Sequence, residues 1–425
     1  MLLPLLLLAV APMPPAIMQE SAVPPYVLPD PLVCLDGRPV TSATMWTEVR
    51  RPEVFRLVEE NMFGRTPDMA KQRAAAVTEL REEGREALGG KATRTQLRVW
   101  PLGKTGPAFD LLLYVPKDAK GPVPAFVGLN FGGNHTTVRE PEVFPPSTWV
   151  AKEWARKGGP ARADVALRGA QADRWQAEML VARGYALVTA YYGDFEPDHP
   201  EGWKEGFRAA LAPQGVATRW QDGEWAAIGA WAWGLSRCLD VVEKDPRIDA
   251  GRVAVIGHSR LGKAALWAGA QDPRFALVVS NESGCGGAAL NKRIFGETVG
   301  VISGHYAGRG FPHWFTARFG TFAEKEQLMP LDSHFLLALI APRPLYVASA
   351  PGDLWSAPLG EFLGAVHADP VYRLLGRPGL GVAVQPAVGQ PVGGTIGYHV
   401  RAGKHDVTAE DWKNYLDFAD RVLRR

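Results

Sequence analysis

The stretch that most constrains this chain runs from Arg252 to Gln271, RVAVIGHSRLGKAALWAGAQ. Val253-Ala254-Val255-Ile256 is a short apolar run with the pattern of a buried parallel strand. Gly257-His258-Ser259-Arg260 is a turn, and Leu261 to Gln271 is a good helix former. A strand that turns sharply into a helix lifts the side chain at the turn clear of the sheet. It also aims the first N–H groups of the helix at whatever that side chain meets. Here the side chain is Ser259. Leu261 stands where Gly-x-Ser-x-Gly would place its second glycine, and Gly262 comes one residue later. On this pattern alone Ser259 is a nucleophile or an N-cap.

The rest of the chain supplies strands and helices in alternation. Strands are expected at 93–100, 109–115, 123–130, 185–191, 275–280, 344–349 and 396–400, from period-two or continuous apolar runs bounded by turn residues. Helices are expected at 47–62, 173–184, 223–242 and 332–340. Thr408-Ala409-Glu410-Asp411 has the form of a capping box opening a C-terminal helix. This alternation predicts an α/β-hydrolase, a doubly wound and mostly parallel sheet with helices on both faces. Segments 136–172 and 292–331 are too long and irregular for simple connections and are expected to be covering insertions. No linker divides the chain, so residues 21–425 are expected to form one domain.

Composition narrows the function. The 425 residues carry a formal net charge of +2 and no cluster of Lys or Arg, so a nucleic-acid partner is not expected. Residues 2–11, LLPLLLLAVA, have the length of a secretory h-region rather than a membrane span. Residues 1–20 are therefore expected to be a leader, with export to periplasm or medium. No other apolar run approaches membrane length. The three cysteines have no metal-ligand spacing: Cys238 and Cys285 are a disulfide candidate, or all three are buried thiols. The pattern asks for no metal or cofactor. The 14 tryptophans exceed ordinary packing needs, and tryptophan stacks on sugar faces.

Catalytic groups of open α/β sheets gather at the carboxyl ends of strands. Ser259, Glu282, Asp353 and His405 all fall there, in the order nucleophile, acid, histidine. A serine hydroxyl needs a base to take its proton, and a histidine titrates near neutrality. A carboxylate fixes the imidazole tautomer. Either Glu282 or Asp353 fits that role. The Gly132-Gly133 turn after an early strand is placed to donate an oxyanion N–H, or only to end the strand. Asp194, Glu196, Asp198 and His199 form either a cation site or, more commonly, a solvated loop. Arg260, next to the serine, needs an anion: a neighbouring acid, an oxyanion or a substrate carboxyl group. Lys263, one turn on, reaches the same pocket or faces solvent.

Gly257-His258-Ser259-Arg260-Leu261-Gly262-Lys263 resembles the G-x-S-R-x-G-K signature of the glucuronoyl esterases. Ser280-Asn281-Glu282-Ser283-Gly284, Asp353-Leu354-Trp355 and Gly403-Lys404-His405-Asp406-Val407 resemble that family's acid and histidine segments in its bacterial form. The resemblance implies a serine esterase that cleaves esters between 4-O-methyl-glucuronic acid on xylan and lignin alcohols. It implies Ser259 as nucleophile, His405 as base, Glu282 with Asp353 as acids and Arg260 as oxyanion stabiliser. Lys263 and Trp355 would contact the sugar. The alternatives are an acetyl- or feruloyl-type carbohydrate esterase and a non-catalytic carbohydrate-binding protein.

Overall fold

The computed structural model describes residues 13–67, 73, 76–157, 162–212, 225–306 and 310–423. Ten strands form one sheet: β1 Val77–Ala87, β2 Ala92–Trp100, β3 Phe109–Pro116, β4 Val123–Asn130, β5 Ala186–Tyr191, β6 Ile248–His258, β7 Leu277–Asn281, β8 Leu345–Ser349, β9 Val392–Gly393 and β10 Ile396–Val400. Their order is β1-β2-β3-β5-β4-β6-β7-β8-β10-β9. The run from β5 to β10 is parallel, flanked by antiparallel β1–β3 on one side and β9 on the other. β6 sits near the middle, with Val255 level with Val127 on β4 and Val278 on β7. The elbow therefore opens at the centre of the carboxyl edge.

Alternation along each strand divides the interior in two. Val253 and Val255 face a core built with α1 Arg51–Val58, α3 Ala227–Val242, α4 Arg260–Gln271, α5 Ser333–Ala338 and α6 Pro358–Leu374. Ala254 and Ile256 face a second core with α2 Ala177–Ala182 and α7 Ala409–Leu423. Trp46, Trp231, Trp233, Trp267 and Trp412 are fully buried in these cores, so much of the tryptophan content is packing. Helices thus lie on both faces, as the alternation predicts.

Several local expectations are corrected. The helix expected at 173–184 breaks at Gln176, which takes a left-handed conformation at φ 45°. There the Arg174 carbonyl accepts a bond from Trp412 Nε1 at 2.7 Å, tying the break to α7. The helix expected at 223–242 begins at Ala227, and residues 223 and 224 lie outside the described residues. Cys238 and Cys285 are not bonded to each other; all three cysteines are free and buried. Of the expected leader, residues 1–12 lie outside the described residues. Ile17 and Val23 pack against Ala289, Phe295 and Ala357, while Glu20 pairs with Arg293. Among the described residues no helix is long and apolar enough to cross a membrane.

Candidate active site

Ser259 has φ 56° and ψ −129°, a conformation that costs a non-glycine residue about 1–3 kcal/mol and that packing must enforce. Its N–H is held by the Asn281 carbonyl at 2.9 Å, and its own carbonyl accepts from Gly262 and Lys263 as α4 begins. The glycines explain the departure from the usual motif. A Cβ on Gly257 would stand 1.9 Å from the Leu261 carbonyl oxygen. A Cβ on Gly262 would meet the Ser283 Cβ at 3.0 Å, whereas Leu261 is free to bury its side chain in the core. Close approach thus falls on residues 257 and 262, and the spacing follows from it.

His405 comes to this elbow on the loop after β10. Its ring lies 4.4 Å from that of His258, the residue before Ser259. Nδ1 stands 2.6 Å from Asp353 Oδ2 and 3.2 Å from Glu282 Oε2, so both expected acids converge on one nitrogen. Burial would lower the imidazole's pKa, but the bonds to the two carboxylates outweigh it and raise it to about 9. The acids differ. Asp353 is held below its ordinary value because the His405 bond overcomes its burial. Glu282, more deeply buried, is raised to about 7 despite His405 and Arg401. Glu282 also has other ties: Oε1 accepts from Arg401 at 2.6 Å and Oε2 from the Asp406 N–H at 2.9 Å.

Arg401 is a residue the motif reading missed. It is buried, reaches Asp411 at 2.7 Å and Glu282 at 2.6 Å, and donates to the carbonyls of Ala402, Lys404 and Asp406. Asp411 in turn accepts from Thr408 N–H at 2.7 Å, completing the expected N-terminal cap of α7, and lies 2.9 Å from His399. One guanidinium therefore shapes the loop that carries His405.

Arg260 has found an acid. Nη1 lies 2.5 Å from Asp198 Oδ2, and the guanidinium sits against Trp314 at 4.8 Å and Phe131 and Phe311 at 5.5 Å. This overturns both readings of the 194–199 segment. Its acids are buried rather than solvated and do not gather round a cation. Asp194 bonds Thr148 and the Asp110 N–H, Glu196 pairs with Arg208, and Asp198 with Arg260. His199 faces Glu205 at 3.7 Å.

Lys263 does not face solvent. It is buried 3.8 Å from Glu297, whose other oxygen accepts from Trp355 Nε1 at 3.2 Å. Burial lowers the lysine's pKa and raises the glutamate's, each opposing the other's shift only in part. Glu297 belongs to the 292–331 segment and carried no sequence signal. Trp355 keeps 38% of its surface exposed, enough to offer a face to a ligand. The Gly133 N–H is taken by the Asn130 side chain at 2.8 Å, so it serves the turn and not an oxyanion. Ligand atoms of His258, Glu282 and His405 lie within 4.8 Å of one another, a spacing a metal tolerates. In the structure these groups serve hydrogen bonds within the protein: His258 Nδ1 to Asn281 at 2.6 Å, Glu282 to Arg401 at 2.6 Å and His405 Nδ1 to Asp353 at 2.6 Å.

A strained serine between a parallel strand and a helix, with histidine and acid on the same sheet edge, defines a hydrolase of the α/β-hydrolase class. The "Glucuronyl esterase, fungi" family model matches residues 220–376. "Carbohydrate esterase MZ0003", from an unknown prokaryotic organism, is 47% identical over 94% of this chain and 90% of its own length. The glucuronoyl esterase from Solibacter usitatus superposes with a TM-score of 0.86 at 45% identity, covering 94% of this chain and 99% of that one. A promiscuous esterase from a marine bacterial metagenome gives 0.85 at 46% identity, covering 96% and 99%. The chain belongs to the glucuronoyl esterases of carbohydrate esterase family 15 and is a carboxylic ester hydrolase.

Proposed function

We propose that this enzyme hydrolyses esters of 4-O-methyl-glucuronic acid, as in lignin–carbohydrate complexes, by a Ser259–His405–acid mechanism. The observation that carries this reading is the cationic pair beside the nucleophile: Arg260 next to Ser259 and Lys263 one turn on, both buried or half-buried. An oxygen-rich uronate suits such a pocket better than a fatty or acetyl group. With Nδ1 turned to Asp353, Nε2 of His405 is the nitrogen left to take the Ser259 proton. Ser259 Oγ then attacks the ester carbonyl. The N–H groups opening α4 and the Arg260 guanidinium meet the developing oxyanion. His405 returns the proton to the departing alcohol, and water releases the uronate from the acyl-enzyme by the reverse sequence.

Lys263, Glu297 and Trp355 then hold the sugar, with the 3.8 Å gap between lysine and glutamate suited to bridging by hydroxyls. A polymeric plant substrate and the apolar run at residues 2–11 support an exported enzyme. The test is release of benzyl alcohol from benzyl glucuronate by Ser259→Ala and His405→Ala. Both variants should lose hydrolysis; full activity in either contradicts the mechanism.

A further inference from the structure

We infer that Asp198 is the positioning residue for Arg260, and that the 292–331 segment acts on the reaction through it. A cation beside a reacting carbonyl accelerates the reaction only if it is already in place when negative charge develops. Arginine has a long flexible stem, so something must hold it. Among the described residues Asp198 is the single polar anchor of the Arg260 head. Nη1 donates to it at 2.5 Å, and Nε is buried without an acceptor. Aromatic faces of Phe131, Phe311 and Trp314 fix the guanidinium without satisfying its N–H groups.

The anchor is itself immobilised. Asp198 accepts from Tyr192 Oη at 3.2 Å, from His313 Nε2 at 2.7 Å and from Trp314 Nε1 at 2.7 Å, and its side chain is 4% exposed. With Arg260 these four donors occupy the acceptor sites a carboxylate has. One donor, Tyr192, directly follows β5, one is Arg260 at the start of α4, and two come from residues 313 and 314. The segment covering the pocket is thus latched to the acid that aims Arg260.

This rests on Arg260 taking part in ester hydrolysis, and a double-mutant cycle separates the two claims. Initial rates on benzyl glucuronate are measured for wild type, Asp198→Asn, Arg260→Ala and the double variant, with thermal unfolding of each. Asp198→Asn, nearly isosteric, should lower kcat about 10- to 100-fold with KM changed less than threefold, since the aim of a transition-state donor is lost. In the Arg260→Ala background it should cost less than twofold further. Multiplying losses would overturn the inference, because Asp198 would then act independently of Arg260. Wild-type rates in Asp198→Asn would overturn it too. Wild-type rates in Arg260→Ala would remove the role of Arg260 and the inference with it. Should Asp198→Asn fold poorly, His313→Phe removes one donor from Asp198. It should give a smaller kcat loss that likewise vanishes in the Arg260→Ala background; persistence of that loss would contradict the inference.

Discussion

Asp353 Oδ2 stands 2.6 Å from Nδ1 of His405, the shorter of the two carboxylate contacts to that nitrogen. Glu282 reaches the same nitrogen at 3.2 Å, but its oxygens are shared with Arg401 and the Asp406 N–H. Asp353 is held ionised by the imidazole, whereas burial lifts Glu282 to about 7. A carboxylate that is charged, close and otherwise lightly committed is the better partner for an imidazolium.

Asp353→Asn should therefore cost kcat on benzyl glucuronate roughly 10²–10⁴-fold, and Glu282→Gln at least tenfold less than that. Steady-state kinetics of both variants check the order. Equal losses would show that the two acids share the role.

The pH profile follows from the same contacts. A general base works unprotonated, and His405 is raised to about 9, so kcat/KM should climb with pH to a midpoint above the ordinary histidine value. Removing Asp353's charge removes a bond that favours the protonated ring. Asp353→Asn should move the limb to lower pH while lowering its height. A limb unmoved by that substitution would contradict the assignment.

Arg401 is a stability prediction. Its side chain is buried between Glu282 and Asp411, so Arg401→Met strands two buried acids. The expected loss is about 3–5 kcal/mol in denaturant unfolding. Glu282→Gln in the same background should recover part of it by removing one stranded charge. A loss under about 1 kcal/mol would show that the network contributes little.

Sugar recognition is separable from chemistry. Lys263→Met should raise KM for benzyl glucuronate about tenfold and leave 4-nitrophenyl acetate hydrolysis within twofold of wild type. Parallel losses on both esters would place Lys263 in the reaction rather than in sugar binding.

What the sequence disclosed and what it hid have physical causes. The elbow was legible because a buried parallel strand, a turn and a helix are all local patterns. Asp353 and His405 were legible because strand ends collect chemistry. Asp198 and Arg401 were not, because their ion pairs join residues 62 and 119 positions apart and leave no period. Yet two clues for Asp198 were present: an acid cluster following the 185–191 strand and an arginine needing an anion beside Ser259. β1 was missed because its VTELREEGREA sequence is exposed along most of its length and carries no apolar alternation. α6 was passed over although it spans 17 residues, since Gly360, Gly364 and Pro370 break its helical pattern.

Acyl specificity is read from initial rates on benzyl glucuronate and 4-nitrophenyl acetate for wild type and Arg260→Ala. A uronate esterase that uses Arg260 should show a strong wild-type preference for the glucuronate and lose it in the variant. Acetate cleaved as well as glucuronate by the wild type would contradict the uronate reading and leave an esterase of another acyl specificity on the same serine.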